Sequence, residues 1–249
     1  MGRRLSEADI AAMQKAGAIA AQILRDLKNF IKPQIVTKDI ELFFDKTLAE
    51  HKGMEAAFRG YNGFPGGLCV SLNDEVIHGI PSEKRIIQDG DLVSVDLGIR
   101  YKGIYVDTAY TYMVGKVSAP AQKLCAVTQD ALYEGIKQAL IGNRVGDIAY
   151  AVQHKAQENE FAVVRQFVGH GIGHSLHLPP EVPNFGMPAV GFEFKNNIAL
   201  AIEPMVVAGS YELLIDADGW TARTKDGSLS AHYEHTVVIT ENGPLIVTM

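Results

Sequence analysis

Cysteine is almost absent from this sequence. Cys69 and Cys125 are the only two in 249 residues, too few for a disulfide scaffold, so the expected compartment is the reducing cytoplasm. An excess of positive charge is also missing. The 23 Lys and Arg are outnumbered by 29 Asp and Glu, a net charge of -6. That argues against DNA or another nucleic acid as the main partner, because phosphate recognition needs a basic surface. No apolar run approaches the roughly 20 residues of a membrane-spanning helix, and the N-terminus lacks the apolar core of a signal peptide. Met1 to Ser6 formally fits an N-myristoylation pattern, but it runs directly into a helix. What remains is a soluble chain with no membrane partner, 47% hydrophobic, large enough for one broad core or two lobes.

Helices are expected at the start of the first lobe and again mid-chain. Ser6 with Asp9 reads as a capping pair for a helix to about Asn29, which Pro33 ends. Thr37 is expected to cap a second helix, stopped near Gly53. Ser118 to Leu140 and Val145 to about Glu160 read as two more, Asp147 being a suitable cap. Phe161 to Val168 reads as a strand. Leu213 to Trp220, with Asp218-Gly219 at its turn, reads as a hairpin.

The stretch Asp91 to Thr108 reads as two apolar strands joined at Tyr101-Lys102-Gly103, each with one aspartate, Asp96 and Asp107. Carboxylates are seldom buried unless paired, hydrogen-bonded or bound to metal. On neighbouring strands two such acids share a face and need a cation between them. Gly169 to His177 holds three histidines among glycines, a pattern suited to a divalent metal. Glu203 ends the apolar strand from Asn197, and Glu234 interrupts another from Ser230.

The two halves echo each other. His78-Gly-Ile, Asp96 and Asp107 in the first half correspond in order to His170-Gly-Ile, Glu203 and Glu234 in the second. The echo predicts a duplicated α+β unit: one catalytic domain, 1–249, built from halves of about 1–117 and 118–249, each giving an acid pair to a shared cleft. Four carboxylates and one imidazole suit five- or six-coordinate divalent ions better than a tetrahedral structural zinc. Carboxylates can bridge two ions that activate water and polarise a carbonyl, which is hydrolytic chemistry.

Seven segments together resemble the type I methionine aminopeptidases of the pita-bread metallopeptidase superfamily, over essentially the whole chain. They are Gly60-Tyr-Asn-Gly-Phe-Pro, Asn73-Asp-Glu-Val-Ile-His78-Gly-Ile-Pro, Val95-Asp96-Leu-Gly, Asp107-Thr, Gly169-His170-Gly-Ile-Gly, Ile202-Glu203-Pro-Met, and Asp226 to Thr236. The resemblance implies the pita-bread fold: two pseudo-twofold lobes, a curved antiparallel sheet covered by helices, and a central dinuclear site. It implies two divalent ions per chain, from among Mn, Co, Fe, Zn and Ni. Asp96 would bind one, His170 and Glu203 the other, with Asp107 and Glu234 bridging. Glu203 would also shuttle the proton. His78 and His177 would contact the scissile peptide, and His177 would stabilise the oxyanion. Phe58, Tyr61, Phe64, Cys69, Leu176 and Trp220 would line a methionine pocket, whose rings suit a flexible thioether. The implied activity is removal of N-terminal methionine from peptides and nascent chains, favouring a small second residue. A monomer is expected, with the ribosome surface as a further partner.

Several positions depart from that pattern. Tyr105-Val106 stands where His-Gly is usual, which would put bulk near the metals. Leu178-Pro179 replaces an acidic pair, Asn196-Asn197 a Pro-Gly turn, and His232 a glutamine. On an unbroken strand His232 would share a face with Glu234. The rival readings fit less well. Xaa-Pro aminopeptidases and dipeptidases of this fold carry a large extra N-terminal domain, whereas only 60 residues precede Tyr61. Type II methionine aminopeptidases insert a subdomain, but here only 31 positions separate Glu203 from Glu234. Non-catalytic binding modules of the fold typically lose metal ligands.

Overall fold

A computed structural model describes residues 4–249, so part of the myristoylation pattern lies outside the described residues. In chain order the first half runs α1 (Glu7–Phe30), α2 (Thr37–Ala49), β1 (Met54–Ala56), β2 (Cys69–Leu72), β3 (Glu75–Ile77), β4 (Leu92–Tyr101) and β5 (Ile104–Met113). The second begins with α3 (Ala119–Lys137), α4 (Val145–Gln157), β6 (Ala162–Val163), β7 (Gly169–Ile172), β8 (Leu178–Val182), β9 (Ile198–Ile202) and β10 (Met205–Val207). It closes with β11 (Leu213–Ile215), β12 (Ala222–Thr224), β13 (Ser230–His232), β14 (Glu234–Thr240) and β15 (Gly243–Ile246). Among the described residues no helix is long and apolar enough to cross a membrane.

Local chemistry sets the helix starts. The Ser6 hydroxyl accepts the Asp9 N–H, and the Asp9 carboxylate accepts the Ser6 N–H, closing a capping box on α1. At α2 the cap differs from expectation. Asp39 reaches back to the Val36 N–H at 3.0 Å, while Thr37 bonds Ser82 on a neighbouring loop. Asp147 works the same way from inside α4, accepting the Arg144 N–H at 2.7 Å. The strand expected over 161–168 is only Ala162–Val163.

The main sheet orders its strands β1-β4-β5-β14-β9-β7-β8, with β2 beside β4 and β15 beside β14. Outward from the β5–β14 junction the order mirrors itself, β5, β4, β2 on one side and β14, β9, β7 on the other. Hydrophobic packing follows the same division. One core joins α1 and α2 to β4 and β5; a second joins α3 and α4 to β9 and β14. The strand expected from Ser230 is broken at Tyr233. Before it, β13 pairs with β10 in a small second sheet; after it, β14 enters the main sheet. The Tyr233 hydroxyl donates to the Thr111 carbonyl at 3.0 Å, fastening the break to β5.

Two of the sequence departures resolve here. Val106 alternates with Asp107 along β5 and turns away from the acids, opposite Ile99, into a fully buried apolar core. The expected bulk near the metals is therefore absent, and strand alternation is the reason. Asn197 has φ +62°, the left-handed geometry asparagine tolerates in place of glycine.

Candidate metal centre

Register alone gathers the acids. Across β4 and β5, Asp96 lies opposite Ala109 and Gly98 opposite Asp107, which puts both carboxylates on one face, diagonal to each other. Ala109 is also opposite Glu234 on β14, so Glu234 joins that face. His235 pairs with Ile202, and continuing one residue sets Glu203 beside Glu234. On the far side His170 pairs with Ala201, in phase with Glu203. Five donors from both halves thus converge across the β5–β14 junction.

The atoms are close. Single donor atoms of Asp107, His170 and Glu234 lie within 4.8 Å of one another. His170 Nε2 is 3.9 Å from Asp107 Oδ2 and 3.5 Å from Glu203 Oε1. The His170 Nδ1–H donates to the Gly171 carbonyl at 3.0 Å, which leaves Nε2 with its lone pair toward the acids. Asp107 is fixed through its backbone. Its N–H donates to Thr236 Oγ1 at 2.8 Å, and that hydroxyl returns a 2.7 Å bond to the Asp107 carbonyl. The Thr108 hydroxyl bonds the Glu234 carbonyl at 2.8 Å, tying the two strands beside the acids.

This cluster is electrostatically incomplete on its own. Burial pushes Asp96 up to about 7. Burial, then Glu234 and Asp96, raise Asp107; burial, then Asp107 and Asp96, raise Glu203; burial, then Glu203 and Asp96, raise Glu234. Asp96 Oδ1 and Glu234 Oε1 are buried and have no hydrogen-bond partner among the described residues. Unpartnered carboxylate oxygens around a lone-pair imidazole fit a divalent cation, which supplies the missing charge. The cluster can hold a metal ion.

Every residue expected to bind metal, catalyse or hold substrate lines one cavity of about 170 Å³: the five donors, His78, His177, Phe58, Tyr61, Phe64, Cys69, Leu176 and Trp220. The wall is aromatic, with Phe64 meeting Trp220 edge-on at 5.2 Å and the His78 ring 6.3 Å from Trp220. His78 has φ +60°, a conformation that costs energy for a residue with a Cβ and that gathers at functional sites. Burial, then His177, brings His78 down to about 4. His170 is down to about 3 for the same two reasons, in the same order. Cys69 pairs with Asp96 across β2 and β4. Burial first, then the acids, push its thiol well up, so it is an apolar wall and not a nucleophile. One lining residue had not been singled out, Asn62. It sits at φ +47° between Gly60 and Gly63, and the glycines flanking it are the signal in the sequence. Val106, Leu178 and Pro179 are outside the lining.

A family model described as metallopeptidase family M24 matches residues 11–241. The chain belongs to metallopeptidase family M24. A methionine aminopeptidase of Clostridium perfringens is 44% identical over 244 residues, 98% of this chain and 97% of that protein. A crystal structure of methionine aminopeptidase from Thermotoga maritima superposes with a TM-score of 0.98 at 40% identity, covering 100% of this chain and 99% of that one. The pita-bread architecture is thereby shown. An Xaa-Pro dipeptidase from Bacillus anthracis shares the fold at a TM-score of 0.76 and 18% identity. This chain covers 98% of itself but only 61% of that structure, so the likeness is one of fold alone.

Proposed function

We propose that this M24 protein is a methionine aminopeptidase, hydrolysing N-terminal methionine from peptides and nascent chains with a preference for a small second residue. The observation that carries the reading is the convergence of five donors on one sheet face, at the floor of an aromatic cavity. Full-length relatives of that name support it over the Xaa-Pro peptidases.

Two divalent ions are the proposed cofactor; Asp96, Asp107, His170, Glu203 and Glu234 would hold them. When bound, they supply Lewis acidity toward the scissile carbonyl and toward water. Glu203 Oε1 lies 3.5 Å from His170 Nε2 at the cavity floor; there its carboxylate takes the proton from the attacking water and returns it to the leaving amine. His177, neutral because burial lowers its pKa, donates a hydrogen bond to the oxyanion. His78, also neutral, contacts the scissile peptide. Phe58, Phe64, Leu176 and Trp220 exclude water and hold the methionine side chain. The mirrored strand order supports one catalytic domain of two related halves, about 1–117 and 118–249. Low cysteine content supports work in the cytoplasm; a monomer that meets nascent chains at the ribosome surface is part of the same proposal.

The test strips the protein with chelator and restores Mn, Co, Fe, Zn or Ni singly. Methionine release from Met-Gly and Met-Ala peptides is expected, with an Xaa-Pro peptide left intact. Absence of methionine release under every ion would refute the assignment.

A further inference from the structure

His177 is held from the opposite half of the chain. Its Nδ1 lies 2.9 Å from the Tyr61 hydroxyl, and the two rings stand 5.2 Å apart at 35°. A closed turn delivers that hydroxyl to a set point. The Tyr61 N–H donates to the Phe58 carbonyl, the Phe64 N–H to Tyr61, and the Gly60 N–H back to Phe64. A neutral imidazole carries one proton, and the partner of one nitrogen decides which nitrogen holds it.

His170 shows one solution. Its Nδ1 faces a backbone carbonyl, which only accepts, so the proton is on Nδ1 and Nε2 is a bare acceptor. His177 faces a phenol, which can donate. A phenol is a better donor than acceptor, because its oxygen lone pair is drawn into the ring, so this 2.9 Å contact favours the opposite tautomer.

We propose that Tyr61 is a positioning residue: its O–H donates to His177 Nδ1 and fixes the Nε2–H tautomer, giving the cavity the donor that the oxyanion requires. The two histidines whose rings are 4.2 Å apart then have opposite polarity, one an acceptor and the other a donor. The catalytic consequence rests on the function proposed above; the tautomer does not.

The tautomer is read directly by two-bond proton–nitrogen correlation on the zinc-loaded protein with labelled histidine, the His177 pattern being assigned through His177→Gln. A bare Nδ1 and a protonated Nε2 are expected; the reverse pattern overturns the proposal whatever the enzyme hydrolyses. Tyr61→Phe keeps the ring and removes the hydroxyl. Its His177 pattern should lose the single-tautomer form, and kcat on a Met-Ala peptide should fall five- to tenfold, about the effect of one hydrogen bond, with KM within about twofold. An unchanged nitrogen pattern, or a raised KM at unchanged kcat, would reduce Tyr61 to a pocket wall and refute the role. Failure of methionine release in the unaltered protein would count against the hydrolase reading, and the nitrogen pattern would still decide the tautomer by itself.

Discussion

Replacing Asp96 with asparagine separates what the buried acids do for chemistry from what they cost in stability. In the metal-free protein burial moves the Asp96 carboxyl from 3.8 to about 7. Between those values the folded chain holds a proton that the unfolded chain has released, so stability falls as pH rises and the loss is complete above about pH 7. Roughly three pH units at about 1.4 kcal/mol each give about 4 kcal/mol. The buried histidines act in the opposite sense. His78 and His235 titrate at about 4, His170 and His232 at about 3, against an ordinary 6.5, and burial is the leading cause in each. Each adds stability as pH rises toward 6.5 and nothing above it. Comparing Asp96→Asn with the unaltered chain at each pH cancels that contribution. Urea unfolding after chelation should show the variant more stable by up to about 4 kcal/mol at pH 8, or about 10 °C in Tm for a chain of this length. At pH 5 the advantage should shrink to between one and two kcal/mol, roughly the part of the titration then completed. Saturating Mn should reverse the ranking, because only the unaltered chain keeps its full donor set. A variant no more stable than the parent at pH 8 in chelator would refute the claim that these acids are held together against their own repulsion.

Substitutions at two further positions probe the centre. Asp107→Asn removes a donor whose carboxylate lies within 4.8 Å of donor atoms on His170 and Glu234. Metal-dependent turnover should drop by at least about 100-fold, and near-normal kcat at saturating ion would exclude the bridging role. His232 is buried, and its unpartnered Nε2 stands 3.8 Å from Glu203 Oε2. If this ring supports Glu203, His232→Ala should weaken ion binding by about 10–100-fold by calorimetry, as outer-sphere partners of metal ligands typically do. His232→Gln, which keeps a donor, should retain most of that affinity. Equal affinities for all three proteins would make His232 a packing residue.

The residues proposed to carry the chemistry were legible because each breaks its own local pattern. An aspartate inside LVSVDLGI or YVDTAY contradicts the apolar strand around it, and that contradiction marks the site more clearly than any preference for strand would. The glycines flanking His170 mark close backbone approach in the same way, and Gly60 and Gly63 around Asn62 mark a turn of positive φ. Less legible were features decided by tertiary pairing. The break at Tyr233 cannot be read from Ser230 to Ile239, where no glycine or proline marks it; it exists because β10 and β5 claim different ends of the run. Helix caps were misplaced for a related reason. Thr37 is a good cap by type, but its hydroxyl is engaged by Ser82, and Asp39 does the work from three residues after the cap position.

Val106 shows how far register constrains the reading. A residue one position from a proposed ligand is expected in the metal centre, yet a strand turns successive side chains to opposite faces. Val106 accordingly supports the site only by filling the core beneath Asp107, and a glycine there would remove packing without opening the cavity. The same period explains why the five donors stay together. Any slip of β14 by one residue against β5 would replace Glu234 with a neighbour and turn the acid into the opposite layer. The Thr108–Glu234 and Thr236–Asp107 bonds stand at that junction. They are therefore what holds the two halves of the centre in phase, with hydroxyls bonded to backbone groups and absent from the cavity lining.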